Sequence, residues 1–283
     1  MMKTDYHIHS TYCDGSSTLR ESVVQACSMK FNSIGFTSHF PLVYQNDWTM
    51  KKENVTNYLL EIETLKLEFK DKIQIYSGME IDYYINTQDI SSFAYEIIPK
   101  LDYYIGSIHG IGLLPNGEVA YIDYLPHFVE DGIKYCYQNN AQHAVEAYYA
   151  GLSHFVEKLN PPIIGHFDII KKNNSILNFI DENEKWYKDA WYSTLQTISG
   201  TNSIIEVNTG GIARYGEDLL YPSIEQLKTI LNLNIPITIN SDAHLAEHIG
   251  YEFEWVKEML KELGFKSRMV LNENKWIEVE INQ

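Results

Sequence analysis

Seven short runs of β-type residues alternate with longer stretches of helical periodicity along this 283-residue chain, and that alternation restricts the fold. The runs are 4–9 (TDYHIH), 34–39 (IGFTSH), 73–80 (IQIYSGME), 103–109 (YYIGSIH), 162–166 (PIIGH), 203–208 (SIIEVN) and 236–242 (PITINSD). Between them, apolar residues recur at helical spacing in 18–30, 52–69, 144–159, 184–198, 223–233 and 247–263. The first of these stretches opens with Thr18-x-x-Glu21, the pattern of a capping box. Repeated strand–helix alternation implies a parallel sheet, and a chain of about 250 residues suits a closed α/β barrel. Residues 110–140 read as a long loop or excursion in place of a barrel helix. No repeat, low-complexity tract or Pro/Gly/Ser linker divides the chain, so a single domain over 1–283 is expected.

Composition narrows the function. The net charge of −16 argues against sequence-independent binding to nucleic-acid phosphates. No apolar run is long enough to span a bilayer, and the opening MMKTDYHIHS lacks the apolar core of a signal peptide. Three cysteines, Cys13, Cys27 and Cys136, form no CxxC and cannot all pair. A cytoplasmic protein without a disulfide framework or a membrane partner is expected.

The chemistry-bearing side chains fall at the ends of the β-type runs. His7 and His9 end the first, and their i, i+2 spacing puts both on one face of a strand. His39 ends the second, Glu80 the third, His109 the fourth, His166 the fifth and Asp242 the seventh. Asp14 follows the first run and His244 the last. In a β/α barrel the C-terminal strand ends form the active face, so six of the ten histidines and three carboxylates are expected on one rim. Imidazole and carboxylate without thiolate suit zinc, manganese or iron.

His7-x-His9, Asp14, His39, Glu80, GSIH ending in His109, IGH ending in His166 and SDAH with Asp242 and His244 resemble the polymerase-and-histidinol-phosphatase (PHP) family. The resemblance runs in order over nearly the whole chain and is nearest to the stand-alone histidinol-phosphate phosphatases. It implies a distorted TIM-like (β/α)7 barrel with three divalent metal ions. One ion would take His7, His9, Glu80 and Asp242, and a second would share Glu80 with His109 and His166. The third would take Asp14, His39 and His244, with Asp14 standing where several family members have histidine. The implied reaction is hydrolysis of L-histidinol phosphate, with hydroxide formed between the metals attacking phosphorus. His7, His9, Glu80, Asp242 and His244 would then be catalytic.

Metals about 3.5–4 Å apart can clamp a phosphoryl group and lower the pKa of a shared water to about 7. Nine ligands with three negative charges and three divalent cations leave the site about three positive, which outweighs a distant acidic surface. Phosphate should also meet cations. Arg214, after Gly210-Gly211, offers a bidentate guanidinium, which the resemblance supports, and Lys171 is a second candidate. Asp168 could orient a metal-bound histidine or cap the helical turn after it.

Other signals are weaker. His244 to His248 spell H-x-x-E-H, but His244 comes directly off a strand, which is the wrong context for a helical zinc-protease pair. His127, His143, His154 and His248 are expected to be surface or core residues, although His127 could face substrate. Cys13 beside the ligands reads as packing. The alternative function is a PHP phosphoesterase or exonuclease acting on nucleotides or single-stranded DNA. It would need a basic, aromatic strand path that the chain lacks. An amide hydrolase would call for a bridging lysine at a strand end, and a non-catalytic protein would have lost ligands.

Overall fold

The computed structural model describes residues 2–216 and 219–281. In chain order it begins with β1 (Thr4–Ile8), α1 (Leu19–Ser28), β2 (Ser33–Phe36), α2 (Val55–Phe69), β3 (Gln74–Ser77), β4 (Glu80–Asp82) and α3 (Ser92–Ile97). It continues through β5 (Ile105–Ser107), β6 (Gly110–Leu113), β7 (Val119–Tyr121), α4 (Pro126–Asp131), α5 (Ala141–Leu159), β8 (Ile163–Ile164), α6 (Asn174–Leu177) and α7 (Lys185–Ser199). The last elements are β9 (Ile204–Asn208), α8 (Gly210–Tyr215), α9 (Ile224–Asn232), β10 (Ile237–Asn240), α10 (Phe253–Leu263), β11 (Ser267–Asn272) and β12 (Lys275–Glu280).

All seven anticipated runs contain strands, and they pair in parallel as two sheets, β1-β2-β3 and β10-β9-β8-β5-β4. Single parallel bridges join the sheets at both edges, Ile8 to Ala243 and His39 to Glu80. The third run is broken at Gly78-Met79, so β3 pairs with β2 while β4 pairs with β5. The pairings therefore close into a distorted seven-membered barrel. Buried strands explain why these runs are nearly continuous in apolar residues, since both faces are covered. α1 starts at the anticipated capping box, with the Thr18 side chain accepting from the Glu21 N–H and the Glu21 carboxylate accepting from the Thr18 N–H. No helix among the described residues is long and apolar enough to cross a membrane.

Two parts of the fold go beyond the sequence reading, the first by settling between the loop and the excursion it left open. Residues 110–140 are an ordered excursion and not a loop: β6 and β7 form an antiparallel hairpin, followed by α4 and a π-helical turn, Gly132–Cys136. Its apolar residues Ile111, Ala120, Ile122 and Val129 are buried, which gives the segment an anchor of its own. The C-terminal hairpin β11-β12 was not anticipated either. It plugs the end of the barrel opposite the strand C-termini with Val270 and Leu271, packed in one cluster with Tyr6, Tyr76 and Tyr103. The Tyr76 hydroxyl donates to the Leu271 carbonyl at 2.9 Å, and the Leu271 N–H donates to the Tyr6 hydroxyl at 2.9 Å.

The barrel interior is filled to the point where one methyl group matters. A Cβ at Gly35 would lie 2.1 Å from the Tyr103 hydroxyl, which donates to the Tyr6 carbonyl at 2.6 Å. Gly35→Ala should cost about 1–3 kcal/mol of stability in urea unfolding, as overpacking does. Adding Tyr103→Phe should recover part of that loss because the colliding oxygen is gone.

Candidate metal centre

β1 delivers His7 and His9 to the same side, and both are buried with Glu80 at the start of β4. The two Glu80 oxygens divide the site. Oε2 lies 3.4 Å from His7 Nε2, 3.6 Å from His9 Nε2 and 2.9 Å from His39 Nδ1. Oε1 lies 3.5 Å from His109 Nε2 and 2.9 Å from His166 Nε2, and those two nitrogens are 3.3 Å apart. Asp242 follows β10 with φ of 50°. This left-handed conformation, tolerated by aspartate, turns the chain so that Oδ1 stands 3.2 Å from His9 Nε2 and 3.7 Å from His7 Nε2. Asp14 Oδ1 completes an outer cluster, 3.4 Å from His244 Nε2, 3.8 Å from His39 Nε2 and 3.9 Å from His9 Nδ1. All nine anticipated ligand candidates thus meet in one place.

These donor atoms fit divalent cations. Among the described residues, three groups gather ligand atoms within 4.8 Å of one another: His9, Asp14, His39 and His244; His7, His9 and Asp242; and His39, Glu80 and His109. His166 joins the last group through the Glu80 and His109 contacts given above. His7 Nε2, His9 Nε2, His39 Nδ1 and Glu80 Oε2 are buried with no hydrogen-bond partner. Buried polar atoms facing one another without partners are costly unless a cation or proton joins them.

The groups behind the imidazoles fix which nitrogen faces the centre. Glu206 Oε1 is 2.7 Å from His7 Nδ1, and the same carboxylate accepts from the His166 N–H at 2.9 Å, Asn208 Nδ2 at 2.8 Å and Asn240 Nδ2 at 2.9 Å. A carboxylate only accepts, so His7 keeps a proton on Nδ1 and directs Nε2 inward, the nitrogen left for a cation to take. Asp82 does the same for His109, 2.8 Å from its Nδ1. Neither acid was singled out from sequence. A glutamate inside SIIEVN and the Glu80-x-Asp82 spacing were the available signals, because each places a charge where the strand faces the interior.

Charge perturbs several of these groups. Burial opposes the imidazolium of His7, yet Glu206, Asp242 and Glu80 raise its pKa well above the usual value. His109 is raised to about 10: burial opposes this, but Asp82 and Glu80 prevail. His39 is raised against burial by Glu80 and Asp14. His9 goes the other way, lowered well below the usual value by burial and then by His244 and His39. Glu80 and Asp242 stay ionised despite burial, held low by His39, His7 and His109 in one case and by Arg214 and His7 in the other. Burial, then Asp14, pushes the Cys13 thiol up to about 11.

A cleft of about 250 Å³ opens over the outer cluster, and Trp48, Tyr121, Asp123, Lys172, Arg214 and Tyr215 help to line it. Arg214 reaches it as anticipated. Its Nη2 donates to Asp242 Oδ2 at 3.0 Å and its Nη1 to the Asp242 carbonyl at 3.1 Å. Lys171 does not reach it. Its Nζ pairs with buried Asp168 at 2.7 Å and donates to the Leu220 carbonyl at 3.2 Å, because that carboxylate needs a counter-ion. The adjacent Lys172 lines the cleft instead, its Nζ 4.9 Å from the centre of the Tyr215 ring and donating to the Asp123 carbonyl. Asp168 takes neither anticipated role. It pairs with Lys171 and accepts from the Ser223 N–H at 3.2 Å. His248 ends a 3-10 turn, Ala246–His248, and shares no helical face with His244. His127, which lies against Phe128 with ring centres 4.4 Å apart, is outside the cation-competent groups, as are His143 and His154.

Parallel strands whose ends gather imidazoles and carboxylates make this a β/α barrel with residue groups able to hold metal ions. The chain belongs to the PHP family: the PHP domain profile matches residues 5–210, a span holding seven of the nine ligand candidates, with Asp242 and His244 beyond it. A histidinol-phosphatase of Bacillus subtilis is 28% identical over 268 residues, covering 90% of this chain and 98% of the relative. A histidinol-phosphatase of Lactococcus lactis is 25% identical, covering 97% and 98%. A solved Listeria monocytogenes structure superposes with a TM-score of 0.78 at 20% identity, covering 89% of this chain and 99% of that one. The Lactococcus lactis histidinol phosphate phosphatase, solved with zinc, L-histidinol and phosphate, gives 0.73 at 22% identity, covering 97% and 98%.

Two outcomes follow from the protons in the site. Cation binding must displace protons from His7, His39 and His109, whose pKa values are raised, so zinc titrated calorimetrically at pH 7 should release protons into the buffer. Apparent affinity should fall as pH is lowered, by up to about tenfold per unit for each proton displaced. Glu206→Gln puts an amide NH2 among four donors and should weaken zinc binding by about 10–100-fold in chelator competition.

Proposed function

We propose that this protein is a metal-dependent phosphomonoesterase that hydrolyses L-histidinol phosphate to L-histidinol and phosphate, acting as one domain over residues 1–283. Three divalent cations, of zinc, manganese or iron, would be held by His7, His9, Asp14, His39, Glu80, His109, His166, Asp242 and His244. What carries the reading is the convergence of those nine side chains beneath a cleft, in a chain that aligns end to end with phosphatases of that name. Cations bound there supply Lewis acidity to the phosphoryl oxygens and lower the pKa of water to about 7.

The chain's own groups divide the remaining work. Arg214 neutralises Asp242 and turns its guanidinium toward the cleft, where phosphate oxygens complete its set of acceptors. Lys172 adds a second cation at the rim, the part first expected of Lys171. Trp48, with ring centres 4.6 Å from His39 and 5.5 Å from His109, shields the inner imidazoles from water. The substrate's ammonium and imidazole meet an acidic, aromatic rim of Asp123, Tyr121 and Tyr124, supplied by the excursion between β5 and α5. Three free cysteines suit a reducing cytoplasm.

Phosphate release should be measured for histidinol phosphate beside nucleoside monophosphates, sugar phosphates and bis-p-nitrophenyl phosphate. Histidinol phosphate should be preferred, and His109→Ala should lower kcat/KM by more than about 100-fold, since even partners behind a ligand are worth 10–100-fold. Preference for a diester or a nucleotide would overturn the substrate assignment and leave the cation site standing.

A further inference from the structure

Four of the histidines that turn Nε2 inward have a side chain against Nδ1, and only two of those side chains are acids; behind His244 it is Arg214, Nη1 at 3.0 Å. His7 is backed by Glu206 and His109 by Asp82. Behind His9 lies Cys13, its Sγ 3.5 Å from His9 Nδ1 and 3.4 Å from the Ser10 carbonyl. That geometry accounts for every proton: the thiol S–H donates to the Ser10 carbonyl, and the sulfur accepts the His9 Nδ1–H. On its far side His9 presents Nε2, fully buried, without a hydrogen-bond partner and 3.2 Å from Asp242 Oδ1.

The choice of nitrogen matters because His9 belongs to two of the cation-competent groups. Nε2 faces the group with His7 and Asp242, while Nδ1 lies 3.9 Å from Asp14 Oδ1 in the outer group. One imidazole can serve both only if it gives up its N–H. We infer that Cys13 is a positioning residue that holds the proton on His9 Nδ1, directs Nε2 to the inner group, and withdraws His9 from the outer one. The outer group then keeps Asp14, His39 and His244 as its ligands. Three protein ligands are the number that leaves a cation open to water or substrate, and this is the group beneath the cleft. A thiol is a weak acceptor and leaves His9 less basic than a carboxylate would. The inference rests on the cation site proposed above and not on the identity of the substrate.

The test is zinc affinity of the full chain, read by competition with a chromogenic chelator, in wild type and in Cys13→Ala, Cys13→Ser and Cys13→Val. Removing the acceptor in Cys13→Ala should weaken the tightest zinc by about tenfold, the lower end for a partner behind a ligand. Cys13→Ser keeps a donor–acceptor and should recover part of the loss. Cys13→Val keeps the bulk without the acceptor and should bind as poorly as Cys13→Ala. Nitrogen-15 NMR of the zinc-loaded wild type should show His9 protonated on Nδ1. Wild-type affinity in Cys13→Val, or in Cys13→Ala should the valine variant not fold, overturns the inference, as does a proton on Nε2. A wild-type chain that binds no zinc overturns the cation site with it, whereas failure to hydrolyse histidinol phosphate leaves this test intact.

Discussion

One buried carboxylate organises this molecule. Glu80 has no exposed surface and faces five imidazoles, three on one oxygen and two on the other. An ionised group so far from water is stable only with positive charge around it. Its own strand position makes the arrangement possible. The break at Gly78-Met79 lets β4 leave β2 for β5, and the bridge from Glu80 to His39 then closes the barrel where the sheets would otherwise part. Closure of the fold and assembly of the site are the same event at this residue.

Glu206 provides the matching constraint across the barrel. Its four donors come from β1, the end of β8, β9 itself and β10, so one carboxylate ties neighbouring strands together from inside. Three of the four donors also hold a ligand candidate in place: His7 directly, His166 through its backbone, and Asn208, whose amide also reaches Asp242 Oδ2 at 3.3 Å. Preorganisation of this kind matters for a polyvalent cation site, because ligand atoms already in place need no further ordering on binding.

The opposite end of the barrel carries no comparable chemistry. Tyrosines and the C-terminal hairpin close it with apolar bulk and hydroxyl-to-backbone hydrogen bonds. Arg268 is buried there, and it donates to Thr4 Oγ1 at 2.8 Å and to the Met2 carbonyl, fastening β11 to the first strand. Tyrosine packing thus closes one end, while the ligand candidates gather at the other, where Trp48 and the excursion residues build a cleft on top of the charged layer.

Much of this was legible in the linear chain. Strand–helix alternation marked all seven barrel strands, and histidines or carboxylates at their C-terminal ends marked seven of the nine ligand candidates, with Asp14 and His244 just beyond, because strand ends in such a barrel face one another. What escaped were features decided between distant segments. The hairpin β11-β12 was not anticipated, because its apolar residues find a place to bury only against Tyr6, Tyr76 and Tyr103, which are distant in the sequence. Asp82 and Glu206 looked like ordinary strand acids until folding set imidazoles against them. Lys171 and Lys172 are adjacent and chemically identical in sequence, and buried Asp168 alone decides that the first is consumed as a counter-ion while the second reaches the cleft. The sequence by itself determined the strand order and the donor set, since both are local patterns of residue type. Only the tertiary structure decided which nitrogen of each histidine faces the centre and which cation meets the cleft, because those depend on which buried groups desolvation forces to pair, 199 residues apart for His7 and Glu206 but only three for Lys171 and Asp168.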